Sequence, residues 1–123
     1  MEENKITIQD ILSMKGKSKI TMLTAYDYPL ASLVDRAGID MILVGDSVAN
    51  VVLGLDSTTK VGMTEMIHHA KAVTRAVKHA LVIGDMPYES YQVNPADSVK
   101  NARRFIEEAK CGAVKLEWFV RCL

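Results

Sequence analysis

The sequence predicts an α/β fold in which short parallel strands alternate with amphipathic helices. Three observations lead to this prediction. A unit of apolar run, polar turn and helical pattern recurs along the chain, the runs show no polar alternation, and successive runs start about 20 to 40 residues apart. Apolar runs without alternation are typical of strands covered on both faces, as in a parallel sheet. We therefore expect the order βαβαβαβ, preceded by a short helix at about residues 7–14.

The first unit contains a strand at residues 20–24 and a helix that follows it. Pro29 suits the first turn of this helix, because a backbone N–H is not needed there, and Gly38 suits its C-terminal cap. Spacings of 0, 3, 4 and 7 place four apolar residues on one helix face, which we expect to be buried: Leu30, Leu33, Val34 and Ala37.

The second unit contains a strand at residues 41–44 that is closed by the Gly-Asp-Ser turn at 45–47. A long connection over about residues 47–63 leads to a second helix, for which Thr64 is the expected N-cap. The buried stripe predicted for this helix consists of Met66, Ala70, Val73 and Val77.

The third unit contains a strand at residues 81–83, followed by Gly-Asp-Met-Pro at 84–87. Asn94 and the proline after it open a third helix, and Gly112 ends it. The buried stripe predicted for this helix consists of Val99, Ala102, Ile106 and Ala109. A fourth strand is expected at residues 113–117.

Two architectures fit strands and helices in this order: an open doubly wound sheet, and part of a (β/α)8 barrel. No glycine-rich phosphate loop follows the first strand. This weakens the dinucleotide-binding version of the open sheet, which needs such a loop at that point.

Composition excludes several function classes. The chain has 123 residues, enough for one domain, and its 15 basic residues balance its 15 acidic residues. A net charge of zero argues against nucleic acid as a partner, and no apolar run is long enough to span a membrane. The polar start is unlike a secretory signal, and Cys111 and Cys122 form neither a disulfide framework nor a zinc pattern. We therefore expect a cytoplasmic protein.

Three of the four predicted strands carry a carboxylate at their ends: Asp46, Asp85 and Glu117. In either architecture, the carboxyl ends of parallel strands meet at one rim, where ligands bind. Lys115 and Glu117 are two residues apart on one strand and project to the same side. Together with the Ser47 hydroxyl, the three carboxylates offer oxygen ligands, which predict a site for a hard divalent cation such as Mg²⁺. A 2-oxo acid would complete this site, with Lys115 stabilising negative charge that develops on it.

Simpler interpretations exist for these residues. An Asp that follows a strand is also typical of a helix N-cap or a turn, which applies to Asp46 and Asp85 taken singly. Lys115 also suits a salt bridge to one of the acids. Capping does not explain Glu117, because no helix pattern follows it. The placement of all of them at successive strand ends favours a site.

The remaining polar residues are less informative. His68 and His69 are adjacent on a helix, so their side chains point about 100° apart and share a metal poorly. We expect these two and His79 to be solvated, and Cys111 to be a buried thiol. Four tyrosines near turns could line a pocket, although packing in the core or at the rim is expected for most of them: Tyr26, Tyr28, Tyr88 and Tyr91.

A family resemblance is carried by motifs that occur in order along the chain. They lie at residues 21–27, 44–47, 56–59, 66–69, 85–87, 90–91 and 114–117, together with Val52 and Gly54. In these motifs the chain resembles the ketopantoate hydroxymethyltransferase (3-methyl-2-oxobutanoate hydroxymethyltransferase) family, from about residue 6 to residue 117.

The resemblance implies a (β/α)8 TIM barrel, assembled as a cytoplasmic homodecamer. It also implies transfer of a hydroxymethyl group from 5,10-methylenetetrahydrofolate to 3-methyl-2-oxobutanoate, which gives 2-dehydropantoate for coenzyme A biosynthesis. By the same resemblance, Asp46, Asp85 and Glu117 hold Mg²⁺. The substrate contacts implied are Asp46, Ser47, Asp85 and Lys115.

The chain contains four of the eight strands that such a barrel requires. We expect residues 1–117 to be the N-terminal half of a barrel and residues 118–123 to be a tail that does not match the family. The family's general base is a glutamate well past the fourth strand, so no catalytic residue is assigned, and we expect the chain alone to be inactive.

Two other hypotheses are a related Mg²⁺-dependent 2-oxo-acid barrel, of the phosphoenolpyruvate mutase and isocitrate lyase group, and a non-catalytic half barrel that binds full-length subunits.

Overall fold

The computed structural model describes residues 4–117, which form one parallel sheet with helices in its connections. The strands are β1 (Met22–Thr24), β2 (Met41–Val44), β3 (Leu81–Asp85) and β4 (Ala113–Lys115). The helices are α1 (Ile8–Met14), α2 (Tyr28–Arg36), α3 (Val48–Val51), α4 (Met63–Ala76) and α5 (Pro95–Glu107). Two 3₁₀ turns, Thr58–Lys60 and Tyr88–Tyr91, lie in the connections. The predicted order of strands and helices is confirmed, with α3 as an addition inside the long second connection.

The strand order in the sheet decides between the two architectures. The strands lie side by side in the order β1-β2-β3-β4, and every pair is parallel. A doubly wound sheet reverses its order at a switch point, whereas a barrel adds each new strand on the same side. Because right-handed crossovers in one direction place all helices on one face, the sheet is four successive strands of a (β/α)8-type barrel.

The face of the sheet under the helices is apolar and closely packed. Ile42, Val44 and Val82 are fully buried on this face. The Phe105 ring of α5 lies so close to Gly84 that a Cβ atom at that position would overlap it. Glycine at position 84 therefore lets α5 approach β3 directly, which fixes the strand that carries Asp85.

Side chains at the helix N-termini explain where α2 and α5 begin. The Leu30 N–H donates to the Asp27 carboxylate at 2.9 Å, and the Asp97 N–H donates to the Asn94 side chain at 2.9 Å. A proline lies in the first turn of each helix, at Pro29 in α2 and at Pro95 in α5, as predicted.

The predicted N-cap of α4, Thr64, is wrong. The helix begins at Met63 with Gly62 as N-cap, and the Glu65 carboxylate accepts a hydrogen bond from the Gly62 N–H at 3.1 Å. Glu65 therefore satisfies the backbone N–H of the N-cap residue, which no carbonyl group of the helix can do. Thr64 lies inside the first turn. The buried stripe of α4 follows the prediction at all four positions, Met66, Ala70, Val73 and Val77, the last of which is the C-cap.

The predicted buried faces of α2 and α5 are partly wrong. On α2, Leu33 is 56% exposed, whereas Val34 is buried as predicted and Ala31 is buried in addition. On α5, Val99 is 60% exposed and Phe105 is buried, while Ala109, just beyond the helix, is buried as predicted. These two helices lie at the ends of a row in which α4 is the middle member. Their outer flanks therefore carry apolar residues that face solvent, including Leu30 and Ile106. Periodicity alone does not separate such a flank from the face that meets the sheet.

A buried carboxylate stabilises the opposite end of the sheet from the predicted site. Asp35 of α2 accepts hydrogen bonds from the backbone N–H groups of Lys78, His79 and Ala80, just before β3. Burial raises the pKa of Asp35, but these hydrogen bonds outweigh burial and hold it below its usual value. Asp35 therefore serves the fold by joining α2 to the start of β3.

The tail expected at residues 118–123 lies outside the described residues, so the boundary at residue 117 stays a prediction. Over residues 4–117, no helix has the length and apolar content needed to cross a lipid bilayer.

Candidate metal and substrate site

Three acidic residues from separate strand ends meet at one rim of the sheet. Asp46, Asp85 and Glu117 each offer a carboxylate oxygen, and these three oxygens lie within 4.8 Å of one another. Asp85 is buried, Asp46 is half-buried and Glu117 is exposed. The structure therefore brings together the three carboxylates that the sequence places at successive strand ends.

Asp85 lies at the centre of this cluster. It is the last residue of β3, and its Cα atom pairs in register with that of Lys115 on β4. One Asp85 oxygen accepts from the Lys115 ammonium group at 3.0 Å, and the other accepts from the backbone N–H of Asp46 at 2.9 Å. Asp85 thereby joins the ends of β2, β3 and β4.

Lys115 makes the salt bridge that its simpler interpretation predicts, but with two acids. Its Nζ atom lies 3.0 Å from Asp85 Oδ1 and 2.8 Å from Glu117 Oε1. Burial lowers the pKa of Lys115, yet its hydrogen bonds to Glu117 and Asp85 outweigh burial and raise it. Lys115 is thus a permanent positive charge in the cluster. Its position fits both a counter-ion and a group that binds an anionic ligand.

The surroundings of Asp46 destabilise its ionised form. Burial, followed by the negative charges of Asp85 and Glu117, raises the pKa of Asp46 to about 6. The capping interpretation does not account for Asp46, because Ser47 is the N-cap of α3 and its side chain makes no capping hydrogen bond. Three carboxylates with one ammonium group leave an excess of negative charge that a divalent cation would neutralise.

Ser47 lies beside this cluster and contacts a residue of the neighbouring strand end. Its Oγ atom is 2.6 Å from the hydroxyl oxygen of Tyr26, which follows β1. His69 of α4 is also near this point, since its Nδ1 atom lies 2.8 Å from the Tyr26 carbonyl oxygen. The expectation that His69 is solvated is therefore wrong, whereas His68 and His79 are exposed as predicted.

Comparison with known proteins gives the family. A family model described as ketopantoate hydroxymethyltransferase matches residues 5–122. The chain belongs to this family. The resemblance seen in the sequence motifs is confirmed.

Curated relatives agree with this assignment. One is a 3-methyl-2-oxobutanoate hydroxymethyltransferase of Syntrophobacter fumaroxidans, 58% identical over 94% of this chain and 41% of the relative. Another, from Syntrophomonas wolfei subsp. wolfei, is 64% identical over 84% of this chain and 37% of the relative. The chain spans about two fifths of the length of the curated relatives that it matches.

Solved structures agree with the barrel architecture. A phosphoenolpyruvate phosphomutase from Streptomyces platensis subsp. rosaceus superposes with a TM-score of 0.71 at 25% identity, over 88% of this chain and 36% of that one. A 2,3-dimethylmalate lyase of the PEP mutase/isocitrate lyase superfamily superposes with a TM-score of 0.63 at 17% identity, over 84% of this chain and 35% of that one. These two structures share the fold of this chain over the part that superposes, while the family model and the curated relatives place the chain in the ketopantoate hydroxymethyltransferase family.

Sequence reasoning left Tyr26 among the tyrosines that could line a pocket and missed His69. A signal for Tyr26 was available, because it lies two residues beyond β1 and therefore at the same rim as the three acids. No local signal marks His69, since its contact joins residues 43 positions apart. Cys111 is the buried thiol that was predicted, and burial raises its pKa to about 12, which removes it as a nucleophile.

Proposed function

We propose that this rim binds one Mg²⁺ ion and 3-methyl-2-oxobutanoate, as the first half of a hydroxymethyltransferase active site. The observation that carries the proposal is the approach of three carboxylate oxygens to within 4.8 Å of one another, with an ammonium group beside them. The family assignment supports the choice of substrate, which the relatives' names specify.

The donor set fits magnesium. Asp46, Asp85 and Glu117 offer only oxygen ligands, and no histidine or cysteine joins this cluster among the described residues. Mg²⁺ prefers carboxylate oxygens and keeps several of its waters, so one or two direct ligands from this set suffice. When bound, the ion acts as a Lewis acid that polarises the carbonyl group of the substrate.

The residues around the acids suit the other end of a 2-oxo acid. The Ser47 hydroxyl offers a hydrogen-bond donor for the substrate carboxylate. Lys115 provides a positive charge at the same rim, where it stabilises negative charge that develops on the substrate oxygen when a proton leaves C3. We therefore assign substrate contacts to Asp46, Ser47, Asp85 and Lys115, as the family resemblance implies.

The complete reaction needs more than these residues. We propose 5,10-methylenetetrahydrofolate as the one-carbon donor and 2-dehydropantoate as the product, in accordance with the family. The chain offers no counterpart to the family's general base, so we expect substrate binding without transfer by the 123-residue chain.

Isothermal titration calorimetry with 3-methyl-2-oxobutanoate tests this proposal directly. We expect the chain to bind the acid when Mg²⁺ is present and at least tenfold more weakly in EDTA, because the ion contributes a ligand site and neutralises the acids. Asp85→Asn should abolish the Mg²⁺-dependent part of the binding of 3-methyl-2-oxobutanoate. The matched control is Asp56→Asn, since Asp56 is an exposed acid paired only with Lys60 among the contacts of the described chain. Equal binding with and without Mg²⁺, or an unchanged affinity in Asp85→Asn, would contradict the proposal.

A further inference from the structure

Tyr26 and Gly45 together determine where the Ser47 hydroxyl lies. Its Oγ atom lies 2.6 Å from the Tyr26 hydroxyl oxygen. A Cβ atom at Gly45 would lie 2.9 Å from Ser47 Oγ, closer than a methyl group tolerates. Glycine at position 45 therefore leaves room for the serine hydroxyl to lie back toward the end of β1, where Tyr26 meets it.

The backbone of Tyr26 is fixed independently by His69. A carbonyl oxygen only accepts hydrogen bonds, so His69 Nδ1, 2.8 Å from the Tyr26 carbonyl oxygen, carries the proton and donates. His69 is itself anchored on α4, whose neighbouring residues Met66 and Ala70 are fully buried. Tyr26 is thus tied to α4 through its backbone and to Ser47 through its ring.

We infer that Tyr26 is a positioning residue whose hydroxyl donates to Ser47 Oγ, so that the Ser47 proton is directed to the carboxylate of a 2-oxo acid. A phenol is more acidic than an aliphatic alcohol and is the better donor of the two. Ser47 has one proton, and when its oxygen accepts from Tyr26 that proton is left for an anionic ligand. This inference rests on the proposed function, because it concerns the same substrate.

A double-mutant cycle with Tyr26→Phe and Ser47→Ala tests this inference. Tyr26→Phe removes one oxygen atom and keeps the ring, and we expect it to weaken binding of 3-methyl-2-oxobutanoate in the presence of Mg²⁺ by about threefold to tenfold, the range of one hydrogen bond. Ser47→Ala should weaken binding at least as much. The double variant should bind no more weakly than Ser47→Ala, because Tyr26 acts only through Ser47.

Two further measurements separate positioning from a merely structural role. The affinity for Mg²⁺ alone should be unchanged in Tyr26→Phe, and the urea midpoint of unfolding should confirm that the variant is folded. Tyr28→Phe is the matched control, since Tyr28 is an exposed tyrosine on α2, and it should bind the acid normally.

The possible results decide separately on the inference and on the proposed function. Normal acid binding by Tyr26→Phe, additive losses in the double variant, or an equal loss of Mg²⁺ affinity would each overturn the role of Tyr26 while leaving the proposed site intact. If Tyr26→Phe unfolds, normal acid binding by Ser47→Ala would overturn the inference, and weakened binding with normal Mg²⁺ affinity would support it. Absence of Mg²⁺-dependent acid binding in the unmodified chain would overturn the proposed function and this inference together.

Discussion

Replacing Asp46 by asparagine should stabilise the chain when no divalent cation is present. Burial and the charges of Asp85 and Glu117 raise the pKa of Asp46 from 3.8 to about 6. At 1.36 kcal/mol per pKa unit, ionising Asp46 costs the folded state ~3 kcal/mol before screening by solvent. Because Asp46 is only half-buried, we reduce this to about 1 kcal/mol. Asparagine removes the charge at nearly constant volume, and the neighbouring acids are then repelled less.

The pH dependence of this effect has a definite sign. The folded state binds the Asp46 proton more tightly than the unfolded state, so the cost is absent below pH 3.8, grows as the pH rises, and is complete above about 6. Urea unfolding in EDTA, followed by circular dichroism, should show Asp46→Asn more stable than the unmodified chain at pH 7.5 and nearly equal to it at pH 4. Adding Mg²⁺ should reverse the order at pH 7.5, because only the unmodified chain keeps its full set of ligands.

The control variant in the same urea titrations is Asp56→Asn. Asp56→Asn changes an exposed acid in a long connection and should alter the free energy of unfolding by no more than about 0.5 kcal/mol. If Asp46→Asn is equal to or less stable than the unmodified chain at pH 7.5 in EDTA, burial and the neighbouring acids do not destabilise the ionised form of Asp46 as the structure indicates.

Four further substitutions test the packing and the charges. Gly84→Ala should lower the free energy of unfolding by about 1–3 kcal/mol in urea titrations, because the new Cβ overlaps the Phe105 ring, whereas Gly112→Ala should cost less, since it meets the end of a flexible leucine. Equal losses would contradict this. Asp35→Ala should cost about 2–4 kcal/mol in the same assay at pH 7, because three backbone donors lose their acceptor; a loss below 1 kcal/mol would contradict it. Lys115→Met should weaken binding of the 2-oxo acid but strengthen binding of Mg²⁺ by calorimetry, because a positive charge leaves the cation site; weaker Mg²⁺ binding would refute this reasoning.

The sequence was most informative where local patterns and topology agree. Unbroken apolar runs predicted β2 and β3, and the parallel arrangement then required Asp46 and Asp85 to reach the same rim. The two-residue spacing of Lys115 and Glu117 predicted that both project to the same side, and at the end of β4 they form an ion pair. These predictions needed only the period of a strand and the direction of the chain.

Features that depend on contacts between distant segments were not predictable. Phe105 rather than Val99 is buried on α5, because Gly84 on β3 leaves space for its ring, and periodicity does not report on that space. The link from His69 to Tyr26 likewise depends on how α4 lies against the end of β1. The choice of a barrel over an open sheet came from the strand order and from family resemblance, since alternating strands and helices allow both.

Counting bound divalent cations tests the central claim most directly. Mn²⁺ takes the same oxygen ligands as Mg²⁺, and its free form is measured by electron paramagnetic resonance. We predict one ion per chain at pH 7.5, displaced by excess Mg²⁺ and lost in Asp85→Asn, the variant that removes the buried acid at the centre of the cluster. Retention of the ion by Asp85→Asn, or no binding by the unmodified chain, would show that these carboxylates do not form a cation site.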